Sequence, residues 1–103
     1  MIHVIAVITA RPGQREAVLE AFRANIPAVL AEDGCIEYGP VVDAEGMGSW
    51  QTRFGADSFV VLEKWRDAAA LAAHAKAPHM AAYAAKTKEL VAGRTIHVMS
   101  PAA

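Results

Sequence analysis

The most constraining stretch of the chain is Phe59-Val-Val-Leu-Glu63-Lys-Trp65, which runs without a loop through Arg66-Asp67 into Ala68-Ala-Ala-Leu71-Ala-Ala-His74. Its first half is β-branched and aromatic, the mark of a strand, expected over Asp57 to Arg66. Its second half is rich in alanine and leucine, which favour helix. Asp67 stands where an N-cap is needed, ready to accept from a free first-turn amide, and the helix is expected over Ala68 to Ala77. Pro78 ends it and suits the first turn of another helix, expected to run to about Val91 and stop at Gly93. The sequence thereby gathers a carboxylate, an indole and two imidazoles (Glu63, Trp65, His74 and His79) at one end of a sheet.

The remaining elements follow from the same rules. Ile2 to Thr9 reads as a strand, broken by Arg11-Pro12-Gly13. Gln14 to about Leu30 reads as a helix, with Val18, Phe22, Ile26 and Val29 at helical spacing and Arg15, Glu16, Glu20 and Arg23 largely outside that stripe. Pro27 removes one helical hydrogen bond, so a kink or break near Asn25 is expected. Gly34 is the natural stop. Cys35 to Asp43 reads as a second strand whose Gly39-Pro40 suggests an edge or a bulge. Arg94 to Met99 is the last strand. The order β-α-β-β-α-α-β matches an α+β, ferredoxin-like sandwich with an antiparallel sheet and a split helix.

At 103 residues the chain is expected to be one domain, 1–103. A domain this small leaves much surface exposed, and 54% hydrophobic residues is more than one core absorbs. The formal net charge of −1, with no basic run, argues against nucleic acid and anionic membrane as partners. No apolar run reaches the roughly 18 residues of a membrane span, and the start, Met1-Ile-His3, has no basic region like that of a signal peptide. One cysteine, Cys35, excludes an intramolecular disulfide and fits a reducing, cytoplasmic setting.

Assembly also follows from periodicity. In the first strand Ile2, Val4, Ala6 and Ile8 point one way, and His3, Ile5, Val7 and Thr9 the other. In the third, Val60 and Leu62 oppose Phe59, Val61 and Trp65. Both faces are largely apolar, whereas a wet face would alternate more cleanly. A homodimer packed through its sheet faces is expected, with a cavity between each sheet and its helices.

Several residues carry a family resemblance. They are Arg11-Pro12-Gly13 after an apolar strand, Asp33-Gly34-Cys35 with Tyr38, Glu63-Lys64-Trp65 followed by Leu71 and His74, and Ala77-Pro78-His79-Met80. Together, from about Ile2 to Val98, they resemble the antibiotic biosynthesis monooxygenase domain family, and within it the quinol monooxygenase branch. The resemblance implies a dimeric α+β barrel. It also implies an oxidoreductase that oxygenates a quinol or polycyclic phenol with molecular oxygen, without flavin, metal or haem. Relatives of this fold degrade haem, and others have no established activity. The segment Ala44 to Ala56, with Met47, Trp50 and Phe54, departs from the short hairpin expected there.

Each candidate residue has a functional and a packing reading. His74 is a candidate base for a phenolic proton, an imidazole near pKa ~6.5 being suited to that transfer; otherwise it is a histidine satisfied by Glu63 or a backbone carbonyl. His79, in a helix first turn whose dipole disfavours a protonated ring, is a second candidate base. Trp65 is either a core residue or an aromatic wall for a planar substrate. Glu63, a carboxylate on an apolar strand, needs a partner or a proton, and is read chiefly as an anchor. Tyr38 could donate to a substrate carbonyl or to superoxide, or simply pack. Asn25 could bind substrate or satisfy backbone freed at Pro27. Trp50 and Arg53 lie on the long connection and form either a lid or a tip touching a second subunit. His3 and His97 lie on strands expected to be neighbours, but nothing shows metal-ligand spacing. The alternatives to a monooxygenase are a small-molecule-binding dimer without turnover, an isomerase or lyase on the same barrel, and haem degradation.

Overall fold

A computed structural model describes residues 1–103. Seven elements follow in the order β1 (Ile2–Ala10), α1 (Arg15–Leu30), β2 (Cys35–Val41), β3 (Ser58–Trp65), α2 (Ala68–Ala75), α3 (Pro78–Thr87) and β4 (Val91–Met99). The four strands form one sheet in the order β2-β3-β1-β4, and every neighbouring pair is antiparallel. This is the ferredoxin-like α+β fold expected from the element order.

The faces divide as the periodicity requires. Val4, Ala6 and Ala10 of β1 and Phe59, Val61 and Trp65 of β3 are buried beneath the helices with Val18, Leu19, Phe22 and Val29 of α1. Trp65 is fully buried. Covering its ~150–250 Å² contributes at most roughly 4–6 kcal/mol at about 25 cal/mol per Å². β2 takes the sheet edge, where Gly39-Pro40 is tolerated, and its ladder shifts register between Cys35 and Glu37. On the opposite face Ile5 and Val7 are half-buried, Leu62 keeps 37% exposure, and Val41 and Met99 are exposed. The edge strand β4 also leaves Ile96 and Val98 uncovered on the helix side.

Local signals are realised at α2 and α3. Asp67 adopts an extended backbone and its side chain accepts from the Ala70 amide at 2.9 Å. Pro78 occupies the start of α3, where its missing N–H costs nothing.

Three expectations need correction. The helix α1 runs unbroken through Pro27 to Leu30; its buried stripe, held down by Phe22 and Val29, outweighs the one backbone bond that proline removes. The last helix ends at Thr87, not near Val91, and Gly93 lies inside β4. Pairing with β1 decides this: Val91 sits opposite Ala10, and the Leu90 carbonyl accepts from the Arg11 amide at 2.8 Å. Trp65 takes the core reading and not that of an aromatic wall, since its side chain has no exposed surface. Two clefts lie away from Trp65, one of about 300 Å³ between the turn at Glu32 and the outer side of α2, the other of about 360 Å³ on the opposite sheet face beneath residues 42–54.

Candidate functional site

The candidate site forms where the C-terminal end of β3 meets the N-terminal end of β2. Trp65 pairs with Cys35 and Glu63 with Tyr38, so these side chains share the helix-facing surface. The turn Glu32-Asp33-Gly34 carries the chain from α1 into β2, its Cys35 amide donating to the Glu32 carbonyl at 3.2 Å. Gly34 has φ +86°, and a Cβ there would lie 2.5 Å from that of Ala70. Glycine is therefore required both by the backbone and by the approach of α2. The Arg66 amide donates to the Gly34 carbonyl at 2.8 Å, and the Arg66 guanidinium grips Asp33 through two contacts of 3.0 Å.

This turn delivers Glu32 to the two histidines. Nδ1 of His74 lies 2.9 Å and Nε2 of His79 lies 2.8 Å from the same oxygen, Glu32 Oε2. The His74 ring is buried, its centroid 4.6 Å from that of Trp65 and 5.6 Å from that of Tyr38. Every side-chain nitrogen or oxygen sealed from solvent has a partner. His74 Nε2 and the Tyr38 hydroxyl have no protein partner, so both border open space.

The carboxylate expected to anchor His74 is engaged elsewhere. Glu63 Oε1 accepts from the Trp65 indole N–H at 2.9 Å. Burial pushes the Glu63 carboxyl above its ordinary range; the indole N–H and His74 pull it down, and Glu32 adds to the rise. Burial also pushes the Tyr38 phenol far above its ordinary value, with Glu63 adding to the effect, so Tyr38 is a hydrogen-bond donor and not a phenolate. The ring stacks on Phe22 at 5.1 Å. The Cys35 thiol is raised by burial and then by Glu32 and Glu63, which disfavours the thiolate a nucleophile needs.

The other candidates separate. Asn25 does not repair the backbone at Pro27; its amide points to the Met80 thioether, Nδ2 to Sδ 3.4 Å, and so ties α1 to α3. Trp50, 76% exposed, and Arg53 lie on the connection into the opposite end of β3, whose neighbouring residues Gln51, Thr52 and Phe54 overhang the sheet face away from the helices. Arg53 pairs with Glu45 at 3.0 Å, and Asp43 accepts from the Phe54 and Gly55 amides, which gives the long connection its own internal order. His3 and His97 sit on one sheet face but opposite Met99 and Ile5, not opposite each other. No group of three or more His, Cys, Asp or Glu side chains has the geometry to hold a metal ion. At the histidine cluster both imidazoles address a single carboxylate oxygen instead of converging on a common centre.

Glu32 was missed by reading the sequence. It lies just past the helical stripe of α1, and its partners are 42 and 47 residues away. The one available pointer was the Asp33-Gly34 turn, which had to place something at this end of the sheet.

Comparison with known proteins gives the family. Residues 1–86 match the family model described as antibiotic biosynthesis monooxygenase. The chain is 43% identical over 103 residues to probable quinol monooxygenase YgiN of Escherichia coli (strain K12), covering 98% of each protein. Among solved structures it resembles PA3566 from Pseudomonas aeruginosa, with a TM-score of 0.81 and 30% identity over 99% of this chain and 94% of that one. It also resembles Rv0793 from Mycobacterium tuberculosis, with a TM-score of 0.78 and 31% identity over 97% and 93%. The chain belongs to the antibiotic biosynthesis monooxygenase family, on the branch that carries YgiN.

Proposed function

We propose that this protein is a cofactor-independent monooxygenase that oxidises a quinol or polycyclic phenol with molecular oxygen. The observation that carries the reading is His74, a buried imidazole set between Trp65 and Tyr38, held at Nδ1 by Glu32 and with Nε2 bordering open space. The printed name of its relative YgiN supports a quinol.

The chemistry begins with a proton. His74 Nε2 removes a phenolic proton, and the resulting anion is electron-rich enough to pass one electron to oxygen. Recombination of the substrate radical with superoxide forms the carbon–oxygen bond. One oxygen atom stays on the substrate and the other leaves as water, so that quinol and O2 give hydroxyquinone and water; all four electrons that reduce oxygen come from the quinol, whose two lost hydrogens end in the water. Tyr38, kept protonated by its burial, donates to the anionic oxygen. Trp65, fixed by Glu63 and fully buried, backs the His74 ring from within the core, and His79 is the half-exposed second imidazole.

A homodimer is part of the proposal. The uncovered apolar face around Ile5, Leu62, Val41 and Met99 is the surface a second copy would cover.

The test is oxygen uptake by metal-stripped protein with reduced naphthoquinols and anthrones, beside His74→Ala and a protein-free blank. Uptake above the blank that falls by roughly 10²–10⁴-fold in the variant supports the monooxygenase. Uptake equal to the blank across the panel sinks it in favour of the binding dimer.

A further inference from the structure

Glu32 contributes nothing to the scheme above except a contact, yet it is the one side chain that joins both histidines. A carboxylate oxygen has two lone pairs, and Oε2 spends both on imidazole nitrogens at 2.9 and 2.8 Å. An imidazole nitrogen is more basic than a carboxylate oxygen, so the protons in both contacts belong to the rings. Which nitrogen of a histidine carries the proton is set by the bond the other makes. With Nδ1–H committed to Glu32, the lone pair of His74 lies on Nε2, the atom that borders open space. Glu63 makes no hydrogen bond to His74; its Oε1 accepts from the Trp65 indole. Glu32 is itself nearly buried, its side chain 13% exposed, so its charge is poorly screened by water.

We propose that Glu32 is the positioning residue of this site. It locks His74 in the Nδ1–H tautomer, leaves Nε2 as the basic atom, and balances the imidazolium that forms when Nε2 takes a proton. In that step the phenolic O–H bond breaks, its electron pair stays on oxygen, and an N–H bond forms at Nε2. The cluster passes from one negative charge on Glu32 to a neutral carboxylate–imidazolium pair, while the substrate takes up the negative charge. His79, 28% exposed, donates to the same oxygen and so fixes the carboxylate from the other side. The catalytic half of this inference rests on the proposed function; the tautomer lock does not.

The test uses the full chain labelled with ¹⁵N-histidine and long-range proton–nitrogen NMR in alkaline buffer, together with oxygen uptake. In the wild type, His74 is expected to show a protonated Nδ1 and an unprotonated Nε2. Glu32→Leu removes the acceptor and should release the ring into a mixture of tautomers. Glu32→Gln keeps an acceptor but loses the charge, and should lower kcat by roughly 10²-fold with KM little changed. A wild-type His74 protonated at Nε2 overturns the proposal, as does a Glu32→Leu protein that keeps the wild-type tautomer or a Glu32→Gln protein with wild-type kcat. If Glu32→Leu fails to fold, the wild-type spectrum alone decides the lock. If no substrate is turned over, the monooxygenase reading fails and the tautomer result still decides whether Glu32 positions His74.

Discussion

Replacing Gly34 by alanine tests the turn that brings Glu32 to the histidines. The backbone there has φ +86°, and the added methyl would sit 2.5 Å from the Ala70 Cβ, far inside the ~3.5–4.0 Å of a comfortable carbon contact. The left-handed backbone costs about 1–2 kcal/mol for a residue with a Cβ. Forcing α2 away costs about 1–3 kcal/mol more, as overpacking generally does. The sum is about 2–5 kcal/mol, which for a chain of this size lowers Tm by roughly 8–40 °C. Gly13 supplies the control, since its φ is +76° but nothing lies within 4 Å of its virtual Cβ. Gly13→Ala should cost the backbone part alone, about 1–2 kcal/mol. The contact part should vanish when Ala70→Gly removes the opposing methyl, so a double-mutant cycle should return about 1–3 kcal/mol of coupling. Urea unfolding at one protein concentration measures all of these. Gly34→Ala matching Gly13→Ala, or a cycle with no coupling, would refute the steric account of this turn.

Two further predictions concern the core and the surface. Burial holds the Glu63 carboxyl above its ordinary value of 4.5, so its protonated form stabilises the fold most below 4.5 and that contribution is lost as pH rises through the raised value. Glu63→Gln keeps an acceptor for the Trp65 indole and cannot ionise, so it should gain on the wild type as pH rises from 4.5 to neutrality; parallel urea-stability profiles would rule this out. Leu62→Lys places a charge in the face proposed to meet a second copy. An unpaired buried charge costs about 3–5 kcal/mol, so the dimer dissociation constant should rise by at least ~10²-fold. Sedimentation should then find the wild type at twice the chain mass and the variant at one; an unchanged variant would place the interface elsewhere.

The sequence by itself determined what short-range rules govern. Alternation in Ile2–Thr9 and Phe59–Trp65 set which side chains face the helices, because a strand's period of two leaves no freedom once one face is covered. Asp67 and Pro78 set the starts of α2 and α3 through backbone groups within one helical turn. Tertiary structure decided the rest. The ladder with β1 claimed Val91 and Gly93 for β4 against their local helix-ending reading. The connection that carries Trp50 and Arg53 packed over the sheet face away from the helices and so apart from the histidines, although all were candidates for one site. The partner of His74 proved to be Glu32 and not Glu63, which is nearer in sequence: Glu63 Oε1 takes the Trp65 indole, and the turn at Gly34, packed closely against Ala70, carries Glu32 to the histidine. Such a contact joins residues 42 positions apart, and no periodicity or capping rule spans that separation; it exists only once helix, turn and sheet have packed together.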